Sequence, residues 1–153
     1  MQLTRFTDYA LRVLTYLAYR GDELATIGEI SASYDISHSH LMKIVQHLGR
    51  LGYVTTLRGK GGGLKLARAP QDINLGDVVR HTEETLDVME CLADDYVEDC
   101  QLFKVCKLKM VLQEAQQAFL ACLDERTLQD LLTTRSPFSS IEFHPRPTAS
   151  PRA

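Results

Sequence analysis

The sequence predicts a mainly α-helical fold, and three observations carry that reading. Apolar residues recur at helical spacing in three successive stretches before residue 52. Two short strand-like runs then flank a basic, glycine-rich segment. Further on, apolar residues recur at alternating steps of three and four along one long stretch. Three helices followed by a hairpin with a basic tip outline a winged helix-turn-helix, and the last stretch adds a long C-terminal dimerisation helix.

In the first helix, placed over residues 8–19, Leu11, Leu14 and Ala18 share a face with Val13 and Leu17 beside them, and Gly21 stops it. Thr26 with Glu29 three residues later has the pattern of a capping box. It opens a short second helix through Tyr34 that buries Ile27 and Ile30. Asp35, Ile36 and Ser37 read as a tight turn, with Ser37 as N-cap of the third helix. There Leu41, Ile44, Val45 and Leu48 form the apolar stripe, while His40, Lys43 and His47 share another face. Gly52 closes it, and residues 53–57 and 64–67 are the strands around the tip Arg58-Gly59-Lys60-Gly61-Gly62-Gly63.

Asn74, with Asp77 three residues on, starts another helix that runs to about Thr82. An acidic loop over residues 86–106 follows. Val105, Leu108, Leu112, Ala115, Phe119 and Cys122 then form a two-helix coiled-coil seam. A winged domain this small offers little else to cover that seam, so a homodimer is expected. From Ser136 the chain holds four of its five prolines, and it reads as a disordered tail that cannot repay the cost of ordering. The chain therefore divides into a DNA-binding region (1–82), a cysteine-bearing loop (83–106), a dimerisation helix with a short terminal helix (107–135) and the tail (136–153).

At 153 residues the chain fits one domain with an appendage, and 44% hydrophobic with 24% charged residues suits folding in water. It has no apolar run near the roughly 20 residues needed to span a bilayer. Asp8 and Arg12 interrupt the apolar stretch that a signal peptide would need. A cytoplasmic protein with no membrane association is expected. Its four cysteines then read as metal ligands, reactive thiols or core residues rather than a disulfide framework. The net charge of −3 hides an asymmetry. Residues 1–70 carry nine Lys/Arg against five Asp/Glu, whereas residues 71–153 carry eight against fifteen. A basic front half suits contact with a polyanion.

In a helix-turn-helix the second helix enters the major groove and its N-terminal side chains meet base edges. Here those are His38, Ser39, His40 and Lys43, while Arg58 and Lys60 on the wing can enter the adjacent minor groove. Double-stranded DNA is thus the expected partner, and the histidine pair is read as DNA contacts rather than metal ligands. The second constellation is Cys91-x8-Cys100-x5-Cys106 in acidic surroundings. Thiolates so spaced can wrap an iron–sulfur cluster. Zinc would also accept three thiolates and a fourth ligand, but no CxxC pair is present, which ranks it lower. Cys122 sits on the apolar seam and reads as a small hydrophobe, and His81 as a surface histidine. An enzyme is not expected. No nucleophile–base pairing is visible, and the glycine run lies in a hairpin rather than at a strand-to-helix turn.

Several segments carry a resemblance. They are the opening Met1-Gln2-Leu3-Thr4 with Phe6-Thr7-Asp8-Tyr9, the wing Arg58-Gly59-Lys60-x-Gly62-Gly63, Gly76-Asp77-Val78-Val79, and the Cys-x5-Cys-Lys-Leu-Lys stretch from Cys100 to Lys109. Together they resemble the NsrR/IscR family of winged-helix iron–sulfur transcription regulators, its nitric-oxide-sensing branch above all, from Met1 to about Leu132. The resemblance implies a homodimeric repressor of a palindromic operator. It also implies one cluster per subunit and nitric oxide as signal, with cluster damage releasing the DNA. It further implies a 4Fe-4S centre, favoured over 2Fe-2S, held by three cysteines and a carboxylate from the first helix of the partner subunit, the position of Asp8 here. The other branch uses a histidine three residues after the last cysteine, where this chain has Lys109. The gap between Cys91 and Cys100 is longer than the four or five residues expected of the family. Two alternatives stand beside this reading: a 2Fe-2S redox or iron–sulfur-status regulator of the same fold, and a zinc- or thiol-based protein-interaction module.

Overall fold

The computed structural model describes residues 2–132. The expected tail from residue 136 lies outside the described residues. Among the described residues five helices and one hairpin follow in chain order: α1 (Arg5–Arg20), α2 (Ile27–Tyr34), α3 (His38–Arg50), β1 (Val54–Leu57), β2 (Gly63–Leu66), α4 (Leu75–Thr82) and α5 (Lys107–Asp124). Single 3-10 turns stand at Pro70–Asp72, Glu90–Leu92 and Leu128–Leu131. No helix among the described residues is long and apolar enough to cross a membrane.

Local chemistry sets most boundaries. α1 begins earlier than its apolar periodicity indicates, because the Thr4 hydroxyl accepts the Thr7 N–H at 3.3 Å and so caps the first turn. Gly21, at φ 60°, ends it. Thr26 and Glu29 form the expected capping box, the Glu29 carboxylate accepting the Thr26 N–H at 2.6 Å. Ser37 stands at the start of α3 but makes no capping bond, and its hydroxyl instead meets that of Ser39 at 3.3 Å.

The Thr26 backbone and hydroxyl donors hold the Glu29 carboxyl below its ordinary pKa of 4.5. A carboxyl whose pKa is depressed by folding stabilises the fold above its unfolded value and loses that contribution as the pH falls through the folded one. Accordingly, Glu29→Gln is expected to lower the melting temperature near neutral pH. The gap to the parent protein should close as the pH is taken well below 4.5, followed by circular dichroism melts. A gap that widens toward acid would contradict the box.

α1 is the central strut. Its Ala10, Val13, Leu14 and Leu17 are buried against Leu41, Ile44 and Leu48 of α3, Ile30 of α2, Leu64 of β2 and Val78 of α4. The hairpin is antiparallel, with Val54 opposite Leu66 and Leu57 opposite Gly63. Ala25 and Leu64 exchange both backbone hydrogen bonds, at 2.9 and 2.7 Å, which fastens the α1–α2 connection along β2. A Cβ at Gly63 would press on the Ala25 carbonyl oxygen at 2.8 Å, so that close approach needs glycine. At the tip Gly59 and Gly61 take φ of 102° and 79°. This is the winged helix-turn-helix that the sequence predicts.

α5 starts two residues after Val105, which lies in the preceding turn, and Cys106 is its N-cap. Its far end is clamped to α4. Arg80 donates both terminal nitrogens to the Asp124 carboxylate at 2.7 and 2.6 Å, and the Asn74 amide donates to the Asp124 carbonyl at 2.7 Å. A Cβ at Gly76 would collide with that carboxylate. Beyond the clamp Leu128 is fully buried in the core of the winged domain. No side chain of α5 itself is fully buried. Leu108, Met110 and Val111 are 59–68% exposed, and Cys122 of the predicted seam is exposed as well.

Candidate DNA-binding surface and cysteine loop

The apolar stripe of α3 faces the core, with Leu41, Ile44, Val45 and Leu48 buried. At about 100° per residue, the opposite face is centred on Ser39, Lys43 and Gln46, with Met42 beside them. All four are exposed, as are His38 and His40, which flank that face. The His40 ring lies 6.4 Å from that of Tyr9. Arg58 and Lys60 are exposed at the hairpin tip. The predicted residues of the recognition helix and wing are therefore all open to a partner. Met42 and Gln46 were not among them. Met42 is apolar, and Gln46 lies beyond Lys43, the last predicted residue on this helix.

His47 departs from expectation. Spacing groups it with His40 and Lys43, yet it faces inward to α4. Its Nε2 donates to the His81 carbonyl at 2.8 Å, and the Arg50 guanidinium lies 3.1 Å from its Nδ1. The Phe6 ring meets it edge to face at 5.3 Å. His81 is held in turn by the Tyr53 hydroxyl, 2.9 Å from its Nδ1. These imidazoles brace α3 against α4.

The end of α4 also meets the start of α1. The Thr7 hydroxyl donates to that of buried Thr82 at 2.9 Å, and Glu83 accepts the Thr4 N–H at 2.8 Å. An open cavity of about 840 Å³ lies along this seam, lined by Leu3, Phe6, His47, His81 and Leu86 among others.

The cysteine loop begins here. Cys91 lies in the Glu90–Leu92 turn and is half-buried, Cys100 is exposed, and Cys106 is half-buried with its Sγ accepting the Lys109 N–H at 3.4 Å. All four thiols are free. Tyr96 stacks on Phe103 with centroids 5.3 Å apart, and the Lys109 ammonium sits 3.4 Å from the Phe103 centroid. That cation–π contact joins the loop to the first turn of α5. The Tyr96 hydroxyl donates to Asp99 at 2.5 Å, and this bond pushes its pKa up to about 12.

Asp8 points from the first turn of α1, half exposed, with its carboxylate on Arg12 at 2.9 Å. Among the described residues no three His, Cys, Asp or Glu side chains are close enough to hold a metal ion. Cys91, Cys100, Cys106 and Asp8 are thus not gathered within one chain. Their donor chemistry still fits an iron–sulfur cluster: three free, accessible thiols on a loop held largely by short-range bonds, and an accessible carboxylate.

Residues 3–134 match the family model of Rrf2, described as an iron-dependent transcriptional regulator. Over 136 residues the chain is 50% identical to the HTH-type transcriptional regulator NsrR of Bacillus subtilis, a match covering 88% of this chain and 92% of that protein. It is 49% identical over 142 residues to the protein of the same name from Geobacillus kaustophilus, covering 92% and 96%. Among solved structures it is similar to CymR, the global cysteine regulator of B. subtilis, with TM-score 0.70, 25% identity, and 86% and 95% of the two chains covered. It is also similar to T. potens IscR, with TM-score 0.68 and 24% identity over 86% and 85%, a likeness of fold.

Proposed function

The chain belongs to the Rrf2 family of transcriptional regulators, which are not enzymes, and on that footing we propose that it is a homodimeric repressor that senses nitric oxide through an iron–sulfur cluster. Its DNA-binding surface comprises His38, Ser39, His40 and Lys43 on α3 with Arg58 and Lys60 on the wing. Exposure of all six supports this. Dimerisation through α5 is supported by the uncovered side chains Leu108 and Cys122 of the predicted seam, with exposed Val111 flanking them. A dimeric helix-turn-helix protein reads two half-sites one helical turn apart, so the operator is a palindrome.

Cys91, Cys100 and Cys106 with Asp8 would hold the cluster, as 4Fe-4S with three thiolates and one carboxylate. The observation that carries this reading is the set of three free thiols on one loop strung between α4 and α5. When bound, the cluster would supply an iron whose carboxylate ligand is harder and weaker than thiolate, a position open to a small neutral molecule such as nitric oxide. For that, Asp8 must exchange Arg12 for iron. Ligation across the dimer would let Asp8 tie one head to the other protomer's loop, and losing the tie would free the heads from the operator's spacing.

The test is anaerobic purification with iron and sulfide analysis, followed by binding of a duplex that the protein itself selects from a random-sequence pool. Operator affinity is expected to fall at least tenfold after nitric oxide treatment, about 1.4 kcal/mol or more. Equal affinity before and after would overturn the sensor. Zinc in place of iron and sulfide would favour the adaptor reading, and equal iron and sulfide at two per chain the 2Fe-2S regulator.

A further inference from the structure

On the outward face of α3, among groups that can hydrogen-bond, stands one large apolar side chain. Met42 is 60% exposed and sits in the first half of the helix, one position before Lys43. The residue before it, Leu41, is fully buried in the core, so Met42 is not needed to seat the helix. An exposed methionine on this face gains nothing from solvent. The partner that this surface fits is fixed by Lys43 on the same face and by Arg58 and Lys60 on the wing, which suit a polyanion.

In the major groove the one apolar group a base pair displays is the 5-methyl of thymine. Methionine is flexible and polarisable, and can settle its thioether and terminal methyl on such a group without demanding a set angle. Side chains on a helix lean toward its N-terminus, the end that approaches the base edges. Ser39 and Gln46, one turn to either side on the same face, offer hydrogen bonds to neighbouring bases. We propose that Met42 is a specificity-determining residue that reads a thymine through its 5-methyl group in each half-site. This deepens the DNA-binding reading and rests on it, and the protein is used as purified anaerobically.

Replacing thymine by deoxyuridine removes that methyl and leaves every hydrogen-bonding group in place. The experiment scans each thymine of the duplex selected by the parent protein, with binding measured for the parent, Met42→Ala and Met42→Leu. One thymine per half-site is expected at which deoxyuridine weakens the parent about fourfold, the effect of one buried methyl-sized group. Met42→Ala should bind the two duplexes equally, while Met42→Leu should keep most of the discrimination. Because both duplexes are offered to both proteins, any change in DNA shape caused by the base cancels. Alanine is a stronger helix former than methionine, so the variant folds, as a melting curve can confirm. If no thymine is methyl-sensitive, or if the sensitivity survives undiminished in Met42→Ala, the assignment is overturned. Failure of the parent to enrich any duplex would instead overturn DNA binding itself, and this assignment with it.

Discussion

Cys106→Ser is expected to give a protein that folds normally and carries no iron. Cys106 has two jobs. Its Sγ caps α5 by accepting the Lys109 N–H at 3.4 Å, and its thiolate is a candidate ligand. Serine is among the best N-caps, and its hydroxyl accepts the same N–H at ordinary hydrogen-bond length. The substitution therefore preserves or strengthens the helix start and removes only the soft donor. Far-UV circular dichroism and the melting temperature should stay close to those of the parent. Iron and sulfide after anaerobic reconstitution should fall to background and visible absorption should vanish. Cys122→Ser is the control, since Cys122 lies on α5 outside the loop and should leave iron content untouched. Parental iron in Cys106→Ser would remove this thiol from the ligand set, whatever became of the helix.

The second large effect is on the fold itself. Leu41 is fully buried where α3 meets the rest of the core, on the side of the helix opposite Ser39 and Lys43. Leu41→Ala should destabilise the protein by about 2–5 kcal/mol, from the lost transfer of the side chain and the cavity left behind. For a chain of this size that corresponds to roughly 5–20 °C in melting temperature. The contrast with Met42→Ala, one residue on, is the informative part. Adjacent positions on one helix should separate cleanly, one lowering stability and the other lowering discrimination between bases. A shift of less than a degree for Leu41→Ala would mean that α3 is not seated as described.

Most of the fold was legible because its boundaries are set by nearby chemistry. Thr26 with Glu29, Gly21, and the glycine-rich tip each act within a few residues, and the structure places them as expected. The start of α1 was harder to read. The first turn, Arg5 to Asp8, carries no apolar periodicity, and only the Thr4 hydroxyl marks it.

His47 shows the other limit. Helical spacing says which side chains share a face, but what each of them meets depends on distant residues, for His47 on His81, 34 residues away. No local pattern contains that contact. The cysteine loop is a third case. Spacing between Cys91, Cys100 and Cys106 identifies a donor set, whereas bringing those donors together is a tertiary event, and Asp8 is engaged with Arg12 meanwhile. Met42 and Gln46 were visible in the sequence all along. Polar groups at the helix entry do not point to them, because the exposed face of α3 runs further and includes an apolar group.

The clamp at the end of α5 makes that helix a cantilever. It is bolted to the head at Asp124 by Arg80 and Asn74, and beyond the bolt Leu128 is anchored in the head's own core. The opposite end, capped by Cys106, leads into the loop. An 18-residue helix is about 27 Å long, so a tilt of only ~5° about the bolted end carries the other through ~2 Å. Were Cys106 to hold a metal, a pull on it would act at the tip of a long arm whose other end is fastened to the winged domain.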